Sequence, residues 1–175
     1  MQEADERARF EGAVLPHLAT AHNLARWLTR DDHDAQDMVQ EAFMRAWKSF
    51  GGFHGADGRT WLLAIVRNAC YTWLEKKRAH PPAMTADASW HAVADSAQNP
   101  EHLLEREEER RTIRMAMEGL PLELRETLIL RELEGLSYKE IAVIAAVPLG
   151  TVMSRLARAR ERLQQCLRGQ AGKET

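Results

Sequence analysis

The chain predicts an all-α fold: two small helical domains joined by a flexible linker, the C-terminal one containing a helix-turn-helix. Three observations carry this. Apolar residues recur at helical spacing along most of the 175 residues, the period of helices with one buried face. That period is lost longest in HPPAMTADASWHAVADSAQNP, which holds Pro81-Pro82, closes on Asn99-Pro100 and is otherwise mostly small or polar, the composition of a linker. Beyond it, Leu136–Arg162 joins two short helical patterns at a tight corner. The domains are therefore placed at 1–80 and 106–170, with a linker over 81–105.

Taken in order, residues 6–29 predict one amphipathic helix or two, with Phe10, Val14, Leu18, Leu24, Trp27 and Leu28 inward and Pro16 a kink. Thr29-Arg30-Asp31-Asp32 is a turn ending in a good N-cap residue. A helix over about 33–50 follows, acidic in its first turns and basic in its last, which suits the helix macrodipole. Met38, Val39, Ala42, Phe43, Ala46 and Trp47 form its predicted buried stripe; Asp37, Gln40, Glu41 and Met44 fall on the other side. From charge alone that side reads as a solvated acidic face. After the glycine-rich loop 51–58 comes a long helix from about Arg59 to Arg78, with Leu62, Ile65, Val66, Ala69 and Leu74 core-like. Past the linker, Leu103, Leu104, Ile113, Met117 and Leu120 make the apolar side of one helix. Leu124, Leu128, Ile129 and Leu133 point inward from the next, which Gly135 stops.

The corner at 136–162 has its own grammar. Ser137 and Glu140 are an S-x-x-E capping box, each side chain able to satisfy an orphan N–H of the first turn. Pro148 ends the first helix, and Gly150-Thr151 lead into a second that runs through Val152, Leu156, Ala159 and Leu163. Small residues at Ala142, Ala145 and Ala146 permit a close, steep crossing. This is the arrangement whose second helix enters the DNA major groove. Ser154, Arg155, Arg158, Arg160 and Arg162 are assigned to its outward face, and arginine both reads guanine and clamps phosphate.

Composition narrows the classes. Net charge is −2, so the chain as a whole is no basic nucleic-acid binder; acids gather at Asp31, Asp32, Asp34, Asp37 and Glu41 and bases later. Cys70 and Cys166 fit neither a disulfide framework nor a zinc site, and the scattered histidines suggest no metal. No apolar run reaches membrane-spanning length and no signal-peptide core is present. The expectation is a cytoplasmic protein without cofactor or membrane insertion. No nucleophile–base pair or phosphate loop argues for an enzyme. The helix 59–78 mixes Trp61, Arg67, Asn68, Tyr71, Trp73, Lys76, Lys77 and Arg78. Aromatic faces stack unpaired bases and basic groups track phosphates; equally, the tryptophans could be core anchors and Lys-Lys-Arg a helix-end complement.

Together these stretches resemble the extracytoplasmic-function (ECF) subgroup of the sigma-70 family of RNA polymerase sigma factors. The motifs are DAQDMVQEAFMRAWKSF and TWLLAIVRNACYTWL in front, LPLELRETLILRELEGLSYKEIA and VPLGTVMSRLARARERL behind. The resemblance implies a non-enzymatic subunit that binds core RNA polymerase, recognises −10 and −35 promoter elements and assists melting. It implies polymerase docking through Asp37, Gln40, Glu41 and Trp47, in place of a merely solvated face. It implies −10 capture through Trp61, Arg67, Asn68, Tyr71, Lys76 and Lys77, and −35 reading through Thr151, Met153, Ser154, Arg155, Arg158 and Arg160. An anti-sigma factor is an expected partner, and the linker is expected to thread toward the polymerase active-site channel. Relatives often carry a basic residue where this chain has Met153, which suits a thymine methyl better than guanine. Two rivals use the same residues: a duplex-binding regulator with a sensor front half, and a helical adaptor for an acidic protein.

Overall fold

The structure is a computed structural model that describes residues 2–80 and 100–171. The expectations for linker residues 81–99, among them Trp90 and the path to the polymerase channel, lie outside the described residues.

The front module has four helices: α1 (Gln2–Val14), α2 (Leu18–Thr29), α3 (Asp32–Ser49) and α4 (Gly58–Ala79). Pro16 sits in a single 3-10 turn, Leu15–His17, that separates α1 from α2. Arg30, left-handed at φ 64°, closes α2, and the Asp31 carboxylate caps α3 by accepting from the Asp34 N–H at 2.9 Å. Asp57 caps α4 in the same way through Thr60. Its carboxyl lies below the usual range because the Thr60 hydroxyl and N–H donate to the ionised form. Gly58 is required by packing: a Cβ there would come within 2.2 Å of the Ala13 carbonyl oxygen in α1. Leu24, Leu28, Leu62, Leu63 and Val66 fill the core between α2 and α4.

The rear module comprises α5 (Pro100–Glu118), α6 (Leu122–Glu132), α7 (Tyr138–Ala145) and α8 (Leu149–Ala171). α5 begins inside the stretch read as linker. Gly135 takes φ 66° in the turn after α6, where the Leu136 N–H reaches back to the Leu130 carbonyl. The Ser137/Glu140 capping box forms reciprocally. α7 ends on Ala146 at φ 53°, and α8 leaves at 101° to it, within the range of a helix-turn-helix. Leu124, Leu128 and Ile129 of α6 pack with Val152, Leu156 and Ala159 of α8.

Burial departs from the predicted pattern in an instructive way. Trp47 is 42% exposed, Leu104 is 72% exposed, and Leu103, Ile113 and Leu133 are exposed too. Conversely, every residue from Leu124 to Leu130 is buried, Arg125, Glu126 and Thr127 included. A helix in a lone three- or four-helix module keeps a wet side. α6 has none over these two turns because α2 packs on the side that α8 leaves open, while α7 packs on α4. The two modules are closed on one another.

Candidate nucleic-acid interface

α4 places Arg67 and Tyr71 four residues apart, hence on one face, and that face meets α6. The Arg67 guanidinium lies 3.7 Å from the Tyr71 ring centroid. Its Nε donates to Glu126 Oε1 at 2.6 Å, and the Tyr71 hydroxyl donates to Glu126 Oε2 at 2.6 Å. Glu126 is fully buried, so both its carboxylate oxygens are satisfied from the other module. Desolvation pulls the Arg67 pKa down, but the hydrogen bond and charge of Glu126 outweigh it and the net shift is upward. Burial first, then Glu126, pushes the Tyr71 phenol well up. Burial likewise raises the neighbouring Cys70 thiol to about 12, which leaves it inert.

Further pairs of the same polarity flank this cluster. Arg30 reaches Glu118 at 3.5 Å and Arg59 reaches Glu140 at 3.4 Å, each a front-module arginine on a rear-module acid. Asn23 donates to Glu134 across the same seam. Rear-module carboxylates thus occupy arginines that are chemically suited to phosphate.

The other predicted α4 residues separate. Asn68 is exposed beside Arg67. Trp61 is half-buried and stacks on Phe53 at 4.5 Å, so its ring has a protein partner on one face. Lys77 sits 4.5 Å from the Trp73 ring centroid and 3.8 Å from Asp34, and Lys76 is exposed.

α8 turns Val152, Leu156 and Ala159 inward. Met153, Ser154 and Arg158 are exposed and Thr151 is half-buried. Two arginines assigned to the outward face are otherwise engaged. The Arg155 side chain is only 12% exposed, lies 3.8 Å from Glu123 and leaves its buried Nη1 unpaired. Its helical phase falls between the buried and exposed faces, so its long stem folds against α6. Arg160 is held by Glu132 at 2.6 Å.

On α3, Asp37, Gln40, Glu41 and Trp47 are all exposed, with Glu41 paired to Arg45. Beside them runs an apolar cleft of about 630 Å³ between α2 and α3, lined by Leu18, Val39, Gln40 and Phe43. A second hollow, lined by Phe10, Leu15, Phe43 and Trp47, continues it toward α1. Phe10 meets Trp47 edge-on at 5.1 Å, which holds the tryptophan against the module while leaving its outer face open. Sequence reasoning missed this trough and missed Glu126; a lone Glu within RETLIL gives no sign of a partner 59 residues upstream. Among the described residues no group of three or more His, Cys, Asp and Glu could hold a metal, and no single helix is long and apolar enough to cross a membrane.

Comparison with known proteins agrees with this geometry. Residues 13–80 match the family model for sigma-70 region 2 and residues 110–163 that for sigma-70 region 4. The RNA polymerase sigma-H factor of Pseudomonas aeruginosa is 37% identical over 175 residues, 95% of this chain and 90% of that protein. The ECF RNA polymerase sigma-E factor of Escherichia coli K12 is 38% identical over 171 residues, 92% and 87% respectively. The solved sigma factor RpoE of Bartonella quintana, in complex with the anti-sigma factor NepR, superposes with a TM-score of 0.75 at 27% identity, covering 91% of this chain and 97% of that one. With both regions matched in order over most of its length, the chain belongs to the ECF subgroup of the sigma-70 family of RNA polymerase sigma factors.

Proposed function

We propose that the chain binds core RNA polymerase in the cytoplasm, directs it to promoters with −10 and −35 elements and helps open the DNA, without catalysis of its own. The observation that carries this is the capped α7–α8 pair, crossing at 101° with Met153, Ser154 and Arg158 exposed, on the same chain as the α4 face of Arg67, Asn68 and Tyr71. The first suits an intact major groove; the second offers a basic, aromatic and amide combination for an unpaired strand. Exposed Asp37, Gln40, Glu41 and Trp47, beside the apolar trough, supply the polymerase-docking surface. The domain reading is 1–80 for polymerase and −10 DNA and 106–170 for −35 DNA.

This arrangement is the closed form. A single strand reaching Arg67 and Tyr71 must displace Glu126, so the modules part on the polymerase. A protein that bound across both modules would hold them shut, which is the role open to an anti-sigma partner. The test is reconstitution: the purified chain, core polymerase and a promoter selected from a random pool. Abortive transcripts that depend on the chain are expected. Failure to bind core polymerase would leave the duplex-binding regulator as the better account.

A further inference from the structure

We propose that this chain reads its −35 element chiefly through thymine methyl groups, with Leu149 and Met153 as the side chains that contact them. The inference rests on the reading that α8 enters the major groove, and it adds what α8 recognises there. Helix phase defines the stripe. With Val152, Leu156 and Ala159 buried, the residues presented outward over the first three turns are Leu149, Gly150, Met153, Ser154, Ala157 and Arg158. These are the N-terminal turns that approach base edges in a helix-turn-helix.

An arginine code for guanine is poorly supplied there. Arg155 is folded against α6 beside Glu123, with a side chain 12% exposed. Arg160 is held by Glu132. Arg158 remains, its Nε turned back to the Ser154 carbonyl at 3.4 Å. N-terminal to all three stand two large apolar groups, Leu149 at 42% exposure and Met153 at 54%. Spaced i,i+4, they share one face of α8. Ser154 and Arg158 border them, so the apolar pair is continuous with the polar part of the same reading face. Among the four bases only thymine offers an apolar group in the major groove, its C5-methyl. Burying Leu149 and Met153 against such methyls removes water from both partners; against guanine edges it would strip acceptors of water and return no hydrogen bond.

Deoxyuridine isolates the methyl, because it keeps thymine's hydrogen-bonding edge and lacks only that group. Holoenzyme assembled from the full chain and core polymerase would select −35 sites from a randomised duplex pool. The recovered sites would then be remade with deoxyuridine at each thymine of the element. We expect adjacent thymines in the recovered sites and about a tenfold loss of affinity when two contacted methyls are removed. Met153→Ala and Leu149→Ala should bind the thymine duplex more weakly and respond less to the deoxyuridine exchange; both positions are exposed, and a thermal melt checks that each variant is folded. Equal wild-type binding to thymine and deoxyuridine duplexes overturns the inference while leaving α8 a duplex reader. Full deoxyuridine sensitivity in both variants overturns the assignment to these two residues. No selective duplex binding at all overturns the reading of α8 together with the inference.

Discussion

The two helices proposed to face nucleic acid, α4 and α8, are held in opposite conditions. α4 has Arg67 and Tyr71 turned inward onto a fully buried carboxylate of the other module, with Asn68 and Lys76 left at the surface. α8 keeps Met153, Ser154 and Arg158 open to solvent while the modules are closed. The difference has a physical cause. Unpaired DNA needs charge and aromatic faces gathered on one surface, and such a surface attracts carboxylates from anywhere in the chain. A duplex-reading helix needs only a well-supported backbone and a clear outer stripe, which its own module supplies. On the proposed reading, the front surface is therefore the one that is masked, and the α8 stripe is open without rearrangement.

The sharpest way to break this comparison is Glu126→Gln. Removing one partner of a buried ion pair costs about 3–5 kcal/mol, and here the cost falls on closure. Labels on exposed positions of α3 and α8 should move apart, and affinity for a single-stranded −10 oligonucleotide should rise at least about tenfold. Tyr71, raised by burial and then by Glu126, should titrate nearer the ordinary phenol value of about 10. A raised phenol pKa favours the closed form below about pH 10 and loses that contribution as pH rises. Alkaline opening should thus be visible in the native chain and blunted in the variant. Unchanged label distances in the variant would show that Glu126 does not hold the modules together.

Next in size is Gly58→Ala, which drives a methyl into the Ala13 carbonyl and should cost about 1–3 kcal/mol of front-module stability. Thermal unfolding followed by tryptophan fluorescence reads this, and a melt unchanged within error refutes the close approach of α1 and α4. Of similar size but opposite selectivity are Asn68→Ala and Arg158→Ala, at about 1–3 kcal/mol each. The first should weaken −10 single-strand binding by the holoenzyme and spare a −35 duplex; the second should do the reverse. Either variant weakening both probes equally would dissolve the division between the readers. Smallest is Ala146→Gly, which relieves a left-handed alanine at φ 53° and should stabilise the rear module by about 0.5–1 kcal/mol. No gain in melting temperature would show that the corner is relaxed already.

How much of this was written in the sequence depends on the range of the interaction. The Ser137/Glu140 cap, the turn at Pro16 and the corner before α8 are contests among neighbours within four residues, and each was legible; the cap of α3 falls at Asp31, one residue before the end of the turn that was read as carrying it. The exposure of Trp47 was less so: its position fits a buried stripe, and only the edge-on packing against Phe10 leaves it at the rim of a trough. Arg155 of α8 was over-read as outward, because composition counts arginines alike. The fold turns Arg155 against α6 and gives Arg160 to Glu132, leaving Leu149 and Met153 to dominate the open stripe.

By itself, then, the sequence determined helices, caps, the break between modules and the residue types that suit promoter DNA and a polymerase surface, because these follow from local periodicity and side-chain chemistry. Tertiary structure alone decided which of those groups are free. The burial of Glu126 between Arg67 and Tyr71 joins residues 55 and 59 positions apart, and no local pattern records a desolvated carboxylate whose partners arrive from another module.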